Sequence, residues 1–265
     1  MNNRYVGALL ISPFIIIIYL GGYYLVGFTM VLALLGMHEF LNAVKKSGSK
    51  PFSFICYAAA VVYYALLILN RNSNHIDAFL IMLTLVLLCI PVINTKYNFI
   101  DAAISLLCVL YVAVFFSFIP LINLKPFGNI LVWLVFITSW SCDTTAYYFG
   151  RFFGKTKLCP KVSPKKTIEG SLGGILGSTL ITFAFGYMVE SNYNIMPIAN
   201  YAVIGILCGI ISQFGDLVAS SIKRYVDIKD YSKLIPGHGG ILDRFDSIMY
   251  SSVVIFYYLT IVVKI

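Results

Sequence analysis

Apolar residues run along this chain in long blocks separated by short polar links, and the block lengths set the first expectation. Runs close to the roughly 20 residues that a helix needs to cross a bilayer fall at 5–20, 23–42, 52–70, 76–94, 100–122, 127–149, 170–189, 198–222 and 245–263. The pattern predicts an all-α, polytopic integral membrane protein with about nine transmembrane helices. The first run is short and contains Pro13, so eight or ten spans also satisfy it. Two polar intervals are longer than the rest, at 150–170 and 223–246.

Composition narrows this further. With 60% hydrophobic and 11% charged residues and a mean hydropathy of +0.88, a 265-residue soluble domain could not cover its surface. The net charge is +8. With nine spans, only Arg71, Lys125 and Lys264 of the 19 Lys and Arg fall on one side of the membrane, which leaves 16 on the other. The positive-inside rule makes the basic side cytoplasmic, including both long loops. Arg4 is followed by apolar sequence without a small-residue cleavage pattern, so a retained first span is expected rather than a removed signal peptide. The six cysteines lie mostly inside spans and form no C-x-x-C pair, which points to neither disulfides nor a thiolate metal site.

Polar chemistry is distributed unevenly. Residues 1–123 read as a transmembrane scaffold of about five spans. Their few polar groups have structural explanations: His38 and Glu39 lie near the cytoplasmic end of span two, and Asp77 and Asp101 lie at span starts, where a carboxylate favours a helix N-terminus. Residues 124–265, about four spans, hold seven acidic residues at the cytoplasmic end or in the long loops: Asp143, Glu169, Asp216, Asp227, Asp230, Asp243 and Asp246. Asp143 and Asp216 fall within or close to apolar runs. A carboxylate there costs roughly 2.5–3.5 kcal/mol even on the lenient insertion scale, so it normally has a partner and a function. Ser212, Asp216, Ser220 and Lys223 share one helical face. A buried Asp–Lys pair tying two helices together would explain that face equally well.

The loops carry more. From Gly150 to Gly174 the chain has six basic residues, with Ser163, Thr167 and Ser171 interleaved. Lysines, hydroxyls and backbone N–H groups at a helix start suit phosphate. The glycines after Thr167 are expected to form a tight turn into the next span. Neither a G-x-x-x-x-G-K-[ST] loop nor a G-x-G-x-x-G turn is present. In the second loop, Asp243 and Asp246 at spacing i, i+3 share a face, with Arg244 turned away from both. Helix capping explains one such carboxylate. Three carboxylates, Asp216, Asp243 and Asp246, gathered at the membrane boundary suit Mg²⁺, which takes one or two carboxylates and leaves other positions to water and phosphates. The chemistry this implies is metal-assisted phosphoryl or nucleotidyl transfer. His238 in "PGHGG" is expected to contact phosphate or make a structural hydrogen bond.

The segment Ser220 to Asp246, "SSIKRYVDIKDYSKLIPGHGGILDRFD", resembles the signature of the phosphatidate cytidylyltransferases, or CDP-diacylglycerol synthases. The upstream "CDTTAYYFGRFFGKTKLCPKVSPKKTIEGSLGG" is similar to the family's second common block, while the N-terminal half is similar only in hydropathy. The resemblance implies transfer of CMP from CTP to phosphatidate with Mg²⁺ required, in an all-helical membrane enzyme that can form homodimers, with K⁺ as a possible second cation and no nucleic-acid partner. It implies metal binding by Asp216, Asp243 and Asp246, and catalysis with Lys223, Arg224 and Arg244 on phosphate charge. It further implies substrate contacts from Asp143, Ser163, Lys165, Lys166, Thr167, Ser220, Lys229, Asp230 and His238. Without a long soluble N-terminal extension the chain is expected to sit in a bacterial cytoplasmic membrane, its site facing the cytoplasm. A membrane lipid or polyprenol kinase and an ion or anion transporter are the rival readings. The polar cluster at one face and the lack of an inverted repeat argue against the transporter.

Overall fold

The computed structural model describes residues 14–69, 73–234 and 239–265. Residues 14–20 are helical. They are followed by α1 (Gly22–Lys45), α2 (Ser53–Leu69) and α3 (Ser73–Ile93). Next come α4 (Phe99–Asn123) and α5 (Gly128–Phe153), strands β1 (Lys157–Cys159) and β2 (Ser163–Thr167), and helices α6 (Ile168–Tyr193) and α7 (Ile198–Tyr225). Helix α8 (Leu242–Val263) closes the chain.

The expected all-helical membrane architecture is present, but nine spans are not counted among the described residues. Seven helices are long and apolar enough to cross a bilayer. Helix α2 has 17 residues and falls just short, and most of the first expected span lies outside the described residues.

The chain divides into two compact units, residues 1–120 with 225–242, and residues 121–224 with 243–265. In the first, Asn98 and Asp101 form a capping box that starts α4. Asp101 Oδ1 also accepts the Lys50 N–H at 2.6 Å, which ties the α1–α2 link to that helix start. The Tyr63 hydroxyl meets Ser117 Oγ at 2.8 Å, so buried polar groups on α2 and α4 satisfy each other. Only 11% of the most apolar window of α3 is buried, at a hydropathy of 2.7. Leu83 and Leu87 are buried, while most of the other apolar side chains of α3 are exposed, as suits a helix that faces lipid on its outer side.

The second unit is built on close backbone approach. A Cβ added at Gly170 would stand 2.8 Å from the Ala146 carbonyl oxygen, and one at Gly174 would stand 3.0 Å from Cys142 Sγ. Glycines at this spacing let α5 and α6 lie backbone to backbone, as small residues do between membrane helices. They are therefore packing residues inside α6 and do not form the tight turn expected from sequence. On the other side of α6, Gly205 and Gly209 of α7 meet Thr179 Cα and Ile175 Cα at 2.6 and 2.9 Å by the same measure.

The first long loop is ordered as an antiparallel hairpin, with Lys157 opposite Thr167, Cys159 opposite Ser163, and an irregularity between. Thr167 then caps α6, its hydroxyl accepting the Gly170 N–H at 3.1 Å. The Glu169 carboxylate accepts the Thr156 N–H at 3.1 Å, so that residue fastens the hairpin to the helix it precedes.

Candidate active site

A cavity of about 480 Å³ opens in the second unit between α5, the hairpin, α6, α7 and the start of α8. Four carboxylates line it, Asp143, Asp216, Asp243 and Asp246, together with four cations, Arg151, Lys165, Lys166 and Arg244. Charges of both signs balance before any ligand enters. Gly215 explains how two of the carboxylates come so near each other: the Asp246 backbone carbonyl occupies the space its Cβ would need, so α7 and α8 touch beside Asp216. Asp246 is 7% exposed and lies within electrostatic reach of both Asp216 and Asp143. Ser247 Oγ donates to Asp143 Oδ2 at 3.3 Å.

Lysines neutralise two of the four. Lys166 Nζ lies 2.6 Å from Asp216 Oδ2, and Lys223 Nζ lies 2.6 Å from Asp243 Oδ1. Ser220 Oγ also donates to Asp216 Oδ1, at 3.3 Å. The pairs differ in burial. Lys166 and Asp216 are 25% and 34% exposed, whereas Lys223 and Asp243 are 11% and 4% exposed. A nearly buried pair is held against a large desolvation cost and is expensive to break, while a partly solvated one exchanges partners readily.

Residues 2–262 match the cytidylyltransferase family. The chain belongs to that family. It is 38% identical over 239 residues to a phosphatidate cytidylyltransferase of Staphylococcus haemolyticus strain JCSC1435, covering 89% of this chain and 90% of the relative. It is 34% identical over 245 residues to the phosphatidate cytidylyltransferase of Staphylococcus aureus strain COL, with the same coverage, and 35% identical over 245 residues to that of Staphylococcus epidermidis strain ATCC 12228, again over 89% and 90%.

Against this cytidylyltransferase framework the expected site residues sort clearly. Asp143, Lys165, Lys166, Thr167, Asp216, Asp243, Arg244 and Asp246 line one cavity, and Lys223 and Ser220 join it through Asp243 and Asp216. Arg224 is exposed and its Nε donates to the Val162 carbonyl at 3.4 Å, at the tip of the hairpin. Ser163 is used in the β-ladder opposite Cys159, and the described lining does not include it. Lys229 and Asp230 are exposed and belong to the first unit. His238 lies outside the described residues.

Arg244 is a correction. Sequence spacing turns it away from Asp243 and Asp246, yet it lines the same cavity and acts electrostatically on Asp143. The cavity surrounds the first turn of α8, and a long guanidinium side chain reaches around a helix where a short carboxylate does not. Capping of α8 by either aspartate is also ruled out as the whole explanation. The N–H groups of Ile241 and Leu242 are taken by Glu39, at 2.9 Å each.

Sequence reasoning missed Tyr147 and Arg151, which line the cavity with Asp143. Their spacing of four was visible, since 143, 147 and 151 stack along one face of α5. It missed Gln213 as well. The Gln213 backbone carbonyl accepts from Lys166 Nζ at 3.5 Å, and its side-chain amide donates to Ser171 and Gly209 carbonyls at 3.1 and 2.7 Å. No single-element pattern reports that role.

The donor set fits a hard divalent cation, because oxygen ligands from α5, α7 and α8 face one polar cavity and repel one another there. Among the described residues no group of three or more His, Cys, Asp or Glu side chains is arranged to hold a metal ion.

Proposed function

We propose that the chain transfers CMP from CTP to phosphatidate, giving CDP-diacylglycerol and pyrophosphate, in the cavity between Asp143 and Asp246. The observation that carries this reading is the gathering of four carboxylates and four cations around one cavity, in a chain of the cytidylyltransferase family whose relatives bear that activity in their names. The phosphate oxygen of phosphatidate attacks the α-phosphorus of CTP, and the bond from that phosphorus to the bridging oxygen breaks as pyrophosphate leaves. A phosphate monoester is already largely ionised near neutral pH, so no protein nucleophile is required. The residues hold two anions in line and lower their mutual repulsion.

Asp216, Asp243 and Asp246 would hold Mg²⁺, with Asp143 beside them. When bound, the ion supplies charge neutralisation to the triphosphate. Lys166, the more solvated of the two paired lysines, is placed to move from Asp216 to an incoming phosphate. Lys165, Arg151 and Arg244 add positive charge to the same wall. Lys223 keeps Asp243 oriented through a nearly buried pair. Arg224 sits at the hairpin tip, where it can meet a substrate phosphate from outside the cavity. The excess of Lys and Arg in the two long loops and on the same side of the expected nine-span topology, 16 of 19, supports a site facing the cytoplasm in a bacterial cytoplasmic membrane. Homodimer formation and K⁺ rest on the family resemblance alone.

The deciding experiment uses purified protein, phosphatidate, CTP labelled in the α-phosphate, and Mg²⁺. Label entering CDP-diacylglycerol with release of pyrophosphate supports the reading. Release of a nucleoside diphosphate with phosphorylated lipid would make the chain a kinase, and anion or cation uptake into proteoliposomes without nucleotide would make it a transporter.

A further inference from the structure

Glu39 is a carboxylate in the last third of α1, yet it is only 4% exposed. Segment 225–242 of the same unit engages both of its oxygens. Oε1 accepts from Ser232 Oγ at 2.6 Å and from the Ile241 N–H at 2.9 Å, and Oε2 accepts from the Leu242 N–H at 2.9 Å. These are charge-assisted bonds, the stronger kind, and they offset the cost of removing a carboxylate from water. Helix α8 begins at Leu242, and the residue before it, Ile241, has no side-chain acceptor with which to cap it. Glu39 supplies that acceptor from another helix, with its negative charge at the positive end of α8.

Two glycines make room for this arrangement. A Cβ at Gly240 would stand 2.5 Å from both Glu39 carboxylate oxygens, so a side chain at 240 and the carboxylate cannot occupy their present places together. One turn before Glu39, a Cβ at Gly36 would stand 3.1 Å from Leu242 Cδ2, and Leu242 is fully buried. Helix α1 thus offers a small residue to the Leu242 side chain and a carboxylate to its backbone. The last glycine of "GHGG", Gly240, is explained by this contact and needs no contact with substrate.

We propose that Glu39 is a positioning residue for the transfer reaction, a clasp that sets where α8 starts and so how Asp243 and Asp246 are turned about its axis. The link is covalent: Asp243 directly follows Leu242, and a start displaced by one residue turns every α8 side chain by roughly 100°. The inference rests on the proposed role of those aspartates.

The test compares wild type, Glu39→Gln, Glu39→Asp, Gly240→Ala and the Glu39→Gln/Gly240→Ala double variant by steady-state kinetics, thermal unfolding in detergent and amide exchange. Glu39→Gln should lower kcat roughly 10- to 100-fold, the scale of a small misplacement of reacting groups. The KM for CTP should change far less, and exchange should rise at 239–246. Glu39→Asp should recover part of kcat. Gly240→Ala should reproduce the loss, and the double variant should be no worse than the worse single, because both changes break one contact. A Glu39→Gln protein with full kcat overturns the proposal, as do additive losses in the double variant. If Glu39→Gln does not fold, Ser232→Ala removes only one of the three bonds and is read the same way, with a smaller loss of kcat expected and full kcat counting against the clasp. Wild-type protein that makes no CDP-diacylglycerol overturns the reaction itself. An active wild type beside a fully active Glu39→Gln overturns the positioning role alone.

Discussion

Lys223 Nζ and Asp243 Oδ1 lie 2.6 Å apart with both side chains nearly buried, on helices α7 and α8 of the same unit. Asp243→Asn would remove the carboxylate 2.6 Å from the lysine, and breaking a buried pair costs about 3–5 kcal/mol in a dry core and less beside a polar cavity. The Lys223→Met/Asp243→Asn double variant should regain most of that stability in thermal melts while turning over at least about 100-fold more slowly than wild type. Recovery of near-normal turnover together with stability would remove Asp243 from the site.

Lys166 and Lys223 should fail differently. Lys166→Ala breaks a partly solvated pair, so its stability should change by about 1 kcal/mol or less. Its effect should fall mainly on the KM of CTP or phosphatidate. Lys223→Ala should act mainly on kcat. Steady-state kinetics with each substrate varied separates the two, and equal kcat losses with unchanged KM would make Lys166 part of the reacting centre.

Mg²⁺ binding can be followed without turnover. CTP with Mg²⁺ should raise the unfolding midpoint, by an amount that corresponds to about 2.7 kcal/mol at 100 times the dissociation constant. Chelation should abolish most of that protection, and Asp246→Asn should do the same. Undiminished protection by CTP in the presence of chelator would count against an ion held by these carboxylates.

Orientation is testable at the hairpin. Cysteines introduced at Lys157 and Lys229 should react with impermeant thiol reagents only once the cytoplasmic face is opened. Cys159 is part-exposed two residues from Lys157, so the background protein needs Cys159→Ser. Labelling of either position in intact cells would reverse the assignment.

Gly170→Ala should destabilise the second unit by about 1–3 kcal/mol, the usual cost of overpacking. The added carbon meets backbone at Ala146 and Gly150, which cannot rotate aside. Gly27→Ala, where the added carbon meets nothing within 4 Å, is the control. Its melting midpoint should equal or exceed that of wild type, since alanine is the better helix former.

What could be read from sequence was whatever repeats along one element. The face of Ser212, Asp216, Ser220 and Lys223 is legible as a helical period; the structure engages the last three, while the buried Ser212 hydroxyl finds no hydrogen-bond partner among the described residues. Contacts between elements were not visible. The Lys166–Asp216 pair joins a strand to a helix, and nothing in the sequence marks that strand, because the five residues of "SPKKT" carry no alternation of apolar and polar positions. The glycines of α6 look the same on paper whether they turn a chain or admit a neighbour. For Glu39 the sequence offers only a structural role at the end of a span, because the groups it binds lie roughly 200 positions away, at Ser232, Ile241 and Leu242, and no local pattern reports a distance of that kind.

The interleaving of the two units also bears on biogenesis. Residues 225–242 pack with the first 120, and 243–265 with 121–224, so the chain passes from one unit to the other three times. Synthesis from the N-terminus therefore cannot finish the first unit before residue 242 has emerged, nor the second before α8 has followed it. Asp243 and Asp246 are among the last groups delivered. A chain stalled or clipped anywhere ahead of them carries most of the apolar mass of the protein but lacks two of the four carboxylates that line the cavity.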